Sequence, residues 1–489
     1  MVQRNTEITG PLATRLNRDL AVELCEKVGV PFFAVPPSAT KQLRIGIADE
    51  RWSDFVGQLL RHGETVPLYV GFAARARSGG RRRWSGLTGE ANVRRAAREQ
   101  RSIEVFRVMA DNEWSQLFDR PWACLVERWD RDEEGALHAP TRNAVATAIA
   151  PLFQGGATLE QAGRALPTYT PFTKRGLFDI DFPIDAVYMW VDGSDPSWLA
   201  RKAATLARYG LSVDTSASHD ARFRDGGELR YSLRSIERFA PWIRRVYLVT
   251  DQQVPRWLNL QSPLLTVIDH TEIFGSNGSL PSFNSHAIGA RLHHIDGLSD
   301  HYLHFNDDVF LGREVWPTSF FQSNGHSRFF LSRSTLGYSS PDIAPAHESA
   351  RRNVAQILER DFGSSPSNAF FHTPIAQQKQ IMSALESRYH TEFQRTWRNQ
   401  FRASTDIEVN QWLHHYYAYL VGEAEPGSIS YDYFDLSDDR AWIRMRRLTR
   451  LRDRDAFCVN DSLDATIYQQ ERAAKWLDDY FGGASQFER

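Results

Sequence analysis

Short apolar runs recur between residues 184 and 305, and each stops on polar residues. Ile184-Asp-Ala-Val-Tyr-Met-Trp-Val191 is unbroken apart from Asp185 and ends at Asp192-Gly193-Ser194-Asp195-Pro196. Arg245-Val-Tyr-Leu-Val-Thr250 ends at Asp251, Leu265-Thr-Val-Ile268 at Asp269-His270, and Tyr302-Leu-His-Phe305 at Asn306-Asp307-Asp308. Runs of this length, rich in β-branched residues, predict strands of a sheet covered on both faces. Between them lie helical patterns over 196–208, 228–238 and 287–295, the second with Leu229, Ser232, Leu233 and Ile236 facing inward. Strands separated by helices, with polar residues at the strand ends, predict an α/β region with a Rossmann-like sheet of the glycosyltransferase-A kind.

The pattern changes on either side. Residues 1–178 predict a separate small α/β region, with helices around 20–28 and 52–60, strands at 31–35, 43–47, 66–72, 103–109 and 123–129, and a hairpin turning at 130–135. Arg75 to Arg83 (RARSGGRRR) reads either as a solvated basic turn or as a landing site for a polyanionic acceptor or lipid phosphate. The Pro, Thr and Gly content of 155–176 predicts a linker. Beyond about residue 330 the pattern is mainly helical. One helix is expected over 375–389, and another is capped by Ser404 or Thr405, with Trp412, His415, Tyr416 and Tyr419 as its core side. Phe457 to Asp461 predicts a short strand ending in a second Asn-Asp, ahead of an amphipathic terminal helix. The expected organisation is 1–178, 179–330 as the catalytic core, and 331–489 completing its site.

Composition narrows the class. With 489 residues, 42% of them hydrophobic and 24% charged, the chain has the material for two or three globular domains. A net charge of −2 provides no global field toward nucleic acid or an anionic membrane. Only six of the 58 basic residues are lysine; the rest are arginine, the side chain that pairs bidentately with phosphates and carboxylates. Cys25, Cys124 and Cys458 lie far apart, which fits a reducing cytosol better than a disulfide framework or a zinc site. The N-terminus lacks an apolar signal core, and no apolar run approaches the ~18 residues of a membrane span. A cytoplasmic protein is expected, with peripheral association at the inner face of the plasma membrane and oligomerisation left open.

Candidate chemistry gathers at the strand ends, where loops leave an α/β sheet. Asp307 and Asp308 are adjacent carboxylates that repel each other, and a hard divalent cation, Mg2+ or Mn2+, is the usual neutralising partner. A solvated turn is the alternative. In the first loop, Asp192 and Asp195 are candidates for ribose hydroxyls, a uracil edge or a metal, with Gly193 letting backbone approach a ligand; Ser194 or Asp195 as a helix cap is the competing reading. Arg230 and Arg234, four apart, share a helix face and read as an exposed stripe or as a diphosphate clamp. No Gly-x-Gly-x-x-Gly follows the first strand and no Gly-Lys-Ser/Thr P-loop occurs, which argues against a dinucleotide cofactor and against ATP hydrolysis.

These blocks, in this order, resemble the Stealth family of hexose-1-phosphate transferases, which includes bacterial capsule and exopolysaccharide phosphotransferases and the eukaryotic N-acetylglucosamine-1-phosphotransferase. IDAVYMWVDGSDP (184–196) is similar to the family's first conserved region, FRDGGELRYSLRSIERFAPWIRRVYLVTDQQVPRWLN (223–259) to the second, LPSFNSHAIGARLHHIDGLSDHYLHFNDDVFLG (280–312) to the third, and CVNDSLD (458–464) to the fourth. His372 in FHTP and Arg402 in FRAS match positions that the eukaryotic enzyme needs. The resemblance covers roughly 180–485. Unlike the membrane-anchored eukaryotic members, this chain shows no span, and its first 178 residues match no region that can be named, leaving acceptor specificity open.

The resemblance implies a nucleotide-sugar donor, expected to be UDP-linked, and a glycan acceptor. An acceptor hydroxyl attacks the sugar-bearing phosphorus and UMP leaves. Asp308 is expected to hold the metal, assisted by Asp307 and Asn306. Trp190, Asp192, Gly193, Asp195, Asn306 and Asn460 would line the donor pocket. Arg230, Arg234 and Arg402 would stabilise phosphate charge, and His372 would act as general base or phosphate ligand. A glycosyltransferase that releases UDP is the rival enzyme, and a catalytically inactive carbohydrate-binding protein the rival outside enzymes.

Overall fold

A computed structural model describes residues 2–4, 8, 10–36, 42–75, 81–110, 117–209, 223, 225–337, 345–461 and 465–489. The chain divides into two compact units, Met1–Asp179 and Ile180–Arg489. No boundary falls near residue 330, because the C-terminal segment is built into the second unit. Among the described residues no helix is long and apolar enough to cross a membrane.

In the first unit the strands Arg44–Ala48, Tyr69–Arg75, Ser102–Phe106 and Cys124–Arg131 join one mixed sheet. Leu24, Phe55, Leu59, Val70, Ile103 and Val126 fill the core between this sheet and its helices. The segment expected to be a linker is instead a hairpin, Gly156–Glu160 paired with Ala165–Tyr169. Leu166 is buried in the same core, and Thr168 Oγ1 donates to the Ala34 carbonyl at 2.6 Å. Proline misled the reading because Pro167 stands in a two-stranded hairpin, where a missing ladder donor is tolerated. The middle of the basic RARSGGRRR stretch lies outside the described residues; its flanks pair, Arg75 opposite Arg81.

The second unit is organised by β1 (Ile184–Met189), β2 (Val246–Thr250), β3 (Leu265–Asp269), β4 (His301–Phe305) and β6 (Ile375–Gln378), in the order β3-β2-β1-β4-β6. The first four are parallel and β6 is antiparallel to β4. This is the expected Rossmann-like sheet, and both faces are covered. Ala186 and Tyr188 pack with Leu229, Leu233 and Phe310 on one side, while Val187 packs with Tyr247, Tyr302 and Met382 on the other. Asp185, the polar break in β1, is buried but satisfied: its oxygens accept from Arg244 at 2.8 and 2.6 Å and from the Ser299 N–H at 2.8 Å. The strand order reverses between β1 and β4, so their C-terminal ends flank the switch point where α/β sheets bind ligands.

Three local expectations change. Residues 375–378 read as helix but form the edge strand β6, and the helix α4 (Lys379–Arg388) starts only after them. Ile-Ala-Gln-Gln carries no strand alternation; pairing with β4 and the Gln377 Nε2 bond to the Asn410 carbonyl at 2.7 Å decide its state. The predicted helix at 287–295 breaks into Ser285–Gly289 and a 3-10 turn, Leu292–His294. Downstream, neither Ser404 nor Thr405 is the cap: Glu408 accepts from the Gln411 and Trp412 N–H groups at 3.2 and 2.8 Å, opening a π-helical turn, Val409–Leu413. Trp412 and His415 are core, whereas Tyr419 is 53% exposed.

Helix α2 (Glu228–Phe239) is fixed against β1 and β5 (Val309–Leu311) by buried hydroxyls. Ser232 Oγ donates to the Val309 carbonyl at 2.6 Å, so the Tyr188 hydroxyl 2.7 Å away must donate to Ser232. Its outer side is clasped to the C-terminus. Arg234 Nε and Nη2 donate to Glu488 at 2.8 Å each, and Nη1 to Asp478 at 3.1 Å and the Gly482 carbonyl at 2.5 Å. Removing one partner of a buried ion pair is costly, so Arg234→Ala is expected to destabilise the second unit by about 3 kcal/mol in urea denaturation. Arg230→Ala, at a half-exposed guanidinium 3.7 Å from Glu488, is expected to cost under about 1 kcal/mol.

Candidate active site

Asn306, Asp307 and Asp308 leave the C-terminal end of β4, and the chain returns as β5. β5 pairs antiparallel with β8 (Ala456–Asn460), and β8 pairs parallel with β7 (Tyr431–Asp435). This small sheet presses on the acidic pair. The Cys458 thiol donates to Asp308 Oδ2 at 3.3 Å, and the Val459 N–H donates to the Asp308 carbonyl at 3.0 Å. The β5–β8 register, Val309 opposite Cys458, carries Asn460 level with Asp307. Asp308 Oδ1 is buried with no hydrogen-bond partner among the described residues.

Helix α2 brings two more carboxylates. Asp225 accepts from the Gly227 N–H and Glu228 from the Gly226 N–H, each at 2.8 Å. Burial pushes Glu228 up to about 7, with Asp225 and Asp308 adding repulsion. Burial also raises Asp307 well above the usual carboxylate range, and Asp308, Glu228 and Asp225 raise it further. Asp308 is raised by burial and drawn back by His372 and Cys458. Asp307 and Asp308, the latter with an orphaned oxygen, are oxygen donors of the kind a hard divalent cation takes, although among the described residues these carboxylates do not converge as a three-ligand set. The turn alternative for Asn-Asp-Asp does not account for that orphaned atom.

His372 follows the strand Asn368–Phe370; its ring stands 5.5 Å from that of Tyr433. Burial lowers its pKa below the ordinary 6.5, opposed by Asp308 and aided by Arg351. Arg351 lies on α3 (Ala346–Phe362) with its guanidinium 5.5 Å from the Trp412 ring. Trp190 and Asp192 lie near Asp225, whose pKa both influence behind the larger effect of burial. Arg402 stands on a neighbouring wall. Its Nε and Nη2 donate to Ser285 Oγ at 3.2 and 2.6 Å, and Phe401 stacks on Phe283 at 5.1 Å. Trp198, 5.3 Å from Phe283, joins that wall to the loop after β1.

The remaining expected residues make other contacts. Arg234 does not reach the acidic pair, because its donors are spent on Glu488, Asp478 and Gly482 at the C-terminus. Arg230 leans on Trp257, 5.0 Å from the ring. Gly193 meets protein rather than ligand: a Cβ there would lie 2.2 Å from the Phe223 carbonyl oxygen, which accepts the Gly193 N–H at 2.7 Å. Asp195 caps α1 (Pro196–Tyr209), accepting from Ser197 N and Oγ at 2.8 and 2.7 Å, and Gln253 donates to its other oxygen at 3.1 Å. Asp192 similarly accepts from Ser194 N and Oγ at 2.8 and 2.6 Å. Asp225, Glu228, Cys458 and Arg351 were not singled out. Asp-Gly-Gly-Glu ahead of a helix is a signal for the first two; Arg351 looks like any helical surface charge.

Models of Stealth protein conserved regions 1, 2 and 3 match residues 182–210, 222–329 and 371–419. The exopolysaccharide phosphotransferase SCO6023 of Streptomyces coelicolor is 37% identical over 98% of this chain and 83% of its own length. The chain belongs to the Stealth family. A second Stealth relative, the exopolysaccharide phosphotransferase SCO2592 of the same organism, is 38% identical over 81% of this chain, which spans 43% of that protein. Among solved structures, the galactosyltransferase LgtC with donor and acceptor sugar analogues aligns with 62% of this chain and 98% of its own at 12% identity, with a TM-score of 0.33. The Stealth regions divide differently from the sequence blocks: 223–259 and 280–312 fall within region 2, and region 3 is the stretch holding His372 and Arg402.

The raised carboxylates give a pH signature. A carboxyl raised on folding favours the folded state below its unfolded value and loses that stability as pH rises through its folded value. For Glu228 the window runs from 4.5 to about 7. In chelator, Glu228→Gln is expected to match wild type near the lower end and to exceed it by on the order of 2 kcal/mol at about pH 8, read by urea denaturation.

Proposed function

We propose that this Stealth phosphotransferase moves hexose-1-phosphate from a UDP-linked sugar to a sugar hydroxyl of an exopolysaccharide, capsule or cell-wall glycan, releasing UMP. The observation that supports the reading is the position of Asp307 and Asp308 at the C-terminal end of β4, within electrostatic reach of Glu228 and His372, in a chain similar over most of its length to exopolysaccharide phosphotransferases. Asp308 and Asp307, with Glu228 beside them, would hold Mg2+ or Mn2+. When bound, such an ion neutralises diphosphate charge.

The residues divide the remaining work. Trp190, Asp192, Asn306 and Asn460 border the donor. His372 accepts the proton of the acceptor hydroxyl as its oxygen bonds to the sugar-bearing phosphorus. The bond from that phosphorus to the bridging oxygen breaks, and the oxygen leaves with UMP. Positive charge for the phosphoryl group comes from Arg402 and Arg351; Arg234 takes no part. Phosphoryl transfer depends mainly on such positioning and neutralisation.

The test is the identity of the nucleotide released from UDP-sugars in the presence of Mg2+. UMP with a phosphatase-resistant phosphodiester on the acceptor, seen by phosphorus NMR, is expected; stoichiometric UDP with a phosphorus-free product would establish glycosyl transfer instead. Because its partner charge grows in the transition state, Arg402→Ala is expected to lower kcat about a hundredfold while changing the donor KM little.

A further inference from the structure

We propose that His293, His294 and Glu386 form a second cation site, structural rather than catalytic, for Zn2+ or another imidazole-binding transition ion. The residues come from two elements at the end of the sheet away from the acidic pair. The 3-10 turn Leu292–His294 precedes β4, and Glu386 lies on α4, which leaves the end of β6. β6 runs antiparallel to β4 with Gln378 opposite His301, so both elements meet at the N-terminal edge of β4.

His293 Nε2 and His294 Nε2 each lie 2.6 Å from the same oxygen, Glu386 Oε2, and the three ligand atoms fall within 4.8 Å of one another. Glu386 Oε1 is held separately by Arg291 Nη1 at 2.8 Å, and Arg291 is anchored by its Nε on the Ile273 carbonyl at 3.0 Å. That arrangement sets the carboxylate's orientation and leaves Oε2 for a ligand. His293 is buried, and its Nδ1 has no partner among the described residues, so its ring is oriented only into the cluster.

Imidazole donors select transition ions over Mg2+, which prefers oxygen. Metal–nitrogen bonds of about 2.0–2.1 Å separate tetrahedral ligands by roughly 3.3 Å, so the contacts need open by only about 0.7 Å. The fourth position reaches solvent past His294, whose side chain is 37% exposed. Against the cost of burial, the two histidines and Arg291 hold Glu386 well below the usual carboxylate range. A metal here would tie the turn before β4 to α4 and steady the strand that carries Asp307 and Asp308.

The test uses the full chain carrying Asp308→Asn, which removes the acidic-pair site, stripped with chelator and titrated with Zn2+ by calorimetry and with Co2+ by visible absorption. One tight equivalent and the d–d bands of a low-coordinate Co2+ are expected. On the same background His294→Ala, at a partly exposed position, and Glu386→Gln, which keeps size and hydrogen bonding, should each weaken Zn2+ binding by about a hundredfold or more. No bound Zn2+, or undiminished binding in both variants, would overturn the site and leave a hydrogen-bonded clasp.

Discussion

The crowding of carboxylates around Asp307, which burial raises and which Asp308, Glu228 and Asp225 raise further, is the constraint around which the second unit is arranged. A chain free to relax would swing these side chains into water. Here the strand, the helix and the small sheet are each pinned by contacts that do not touch the carboxylates' reactive oxygens. The Tyr188–Ser232–Val309 hydroxyl relay sets α2 against β5, and the β5–β8 ladder sets Cys458 against Asp308. The frame thus maintains a local cost that a cation and a diphosphate can offset, as stability is commonly sacrificed at functional sites.

The same economy governs the arginines. Arg234 and Arg244 are consumed in fastening the frame, the first to the C-terminal Glu488 and the second to Asp185 inside β1. Arg402 donates to a neutral hydroxyl, Ser285 Oγ, which helps to orient its guanidinium. A guanidinium paired with carboxylates has little left to offer a phosphate.

The sheet was legible because buried parallel strands write themselves as unbroken apolar runs, and the polar residues after β1 and β4 marked the switch point directly. β6 was not, since Ile375-Ala-Gln-Gln is stranded only by its partner β4. Asp307, Asp308 and His372 could be named as chemistry by residue type and resemblance. Glu228 could be placed on a helix, but its meeting with Asp308 depends on how α2 packs, which no local pattern encodes. Arg230 and Arg234 show the reverse failure. Helical spacing correctly put them on one face, but a partner 254 residues away in sequence decided where that face points. Gly193 was rightly read as a close approach, with the wrong neighbour.

The proposed function requires Asp307 and Asp308 to bind a hard divalent ion beside the donor diphosphate. Electron paramagnetic resonance of Mn2+ titrated into the chelator-stripped full chain, with and without UDP, tests it most directly. A bound Mn2+ signal that strengthens with UDP and disappears in Asp308→Asn is expected. A UDP-dependent Mn2+ signal that survives Asp308→Asn undiminished would contradict it.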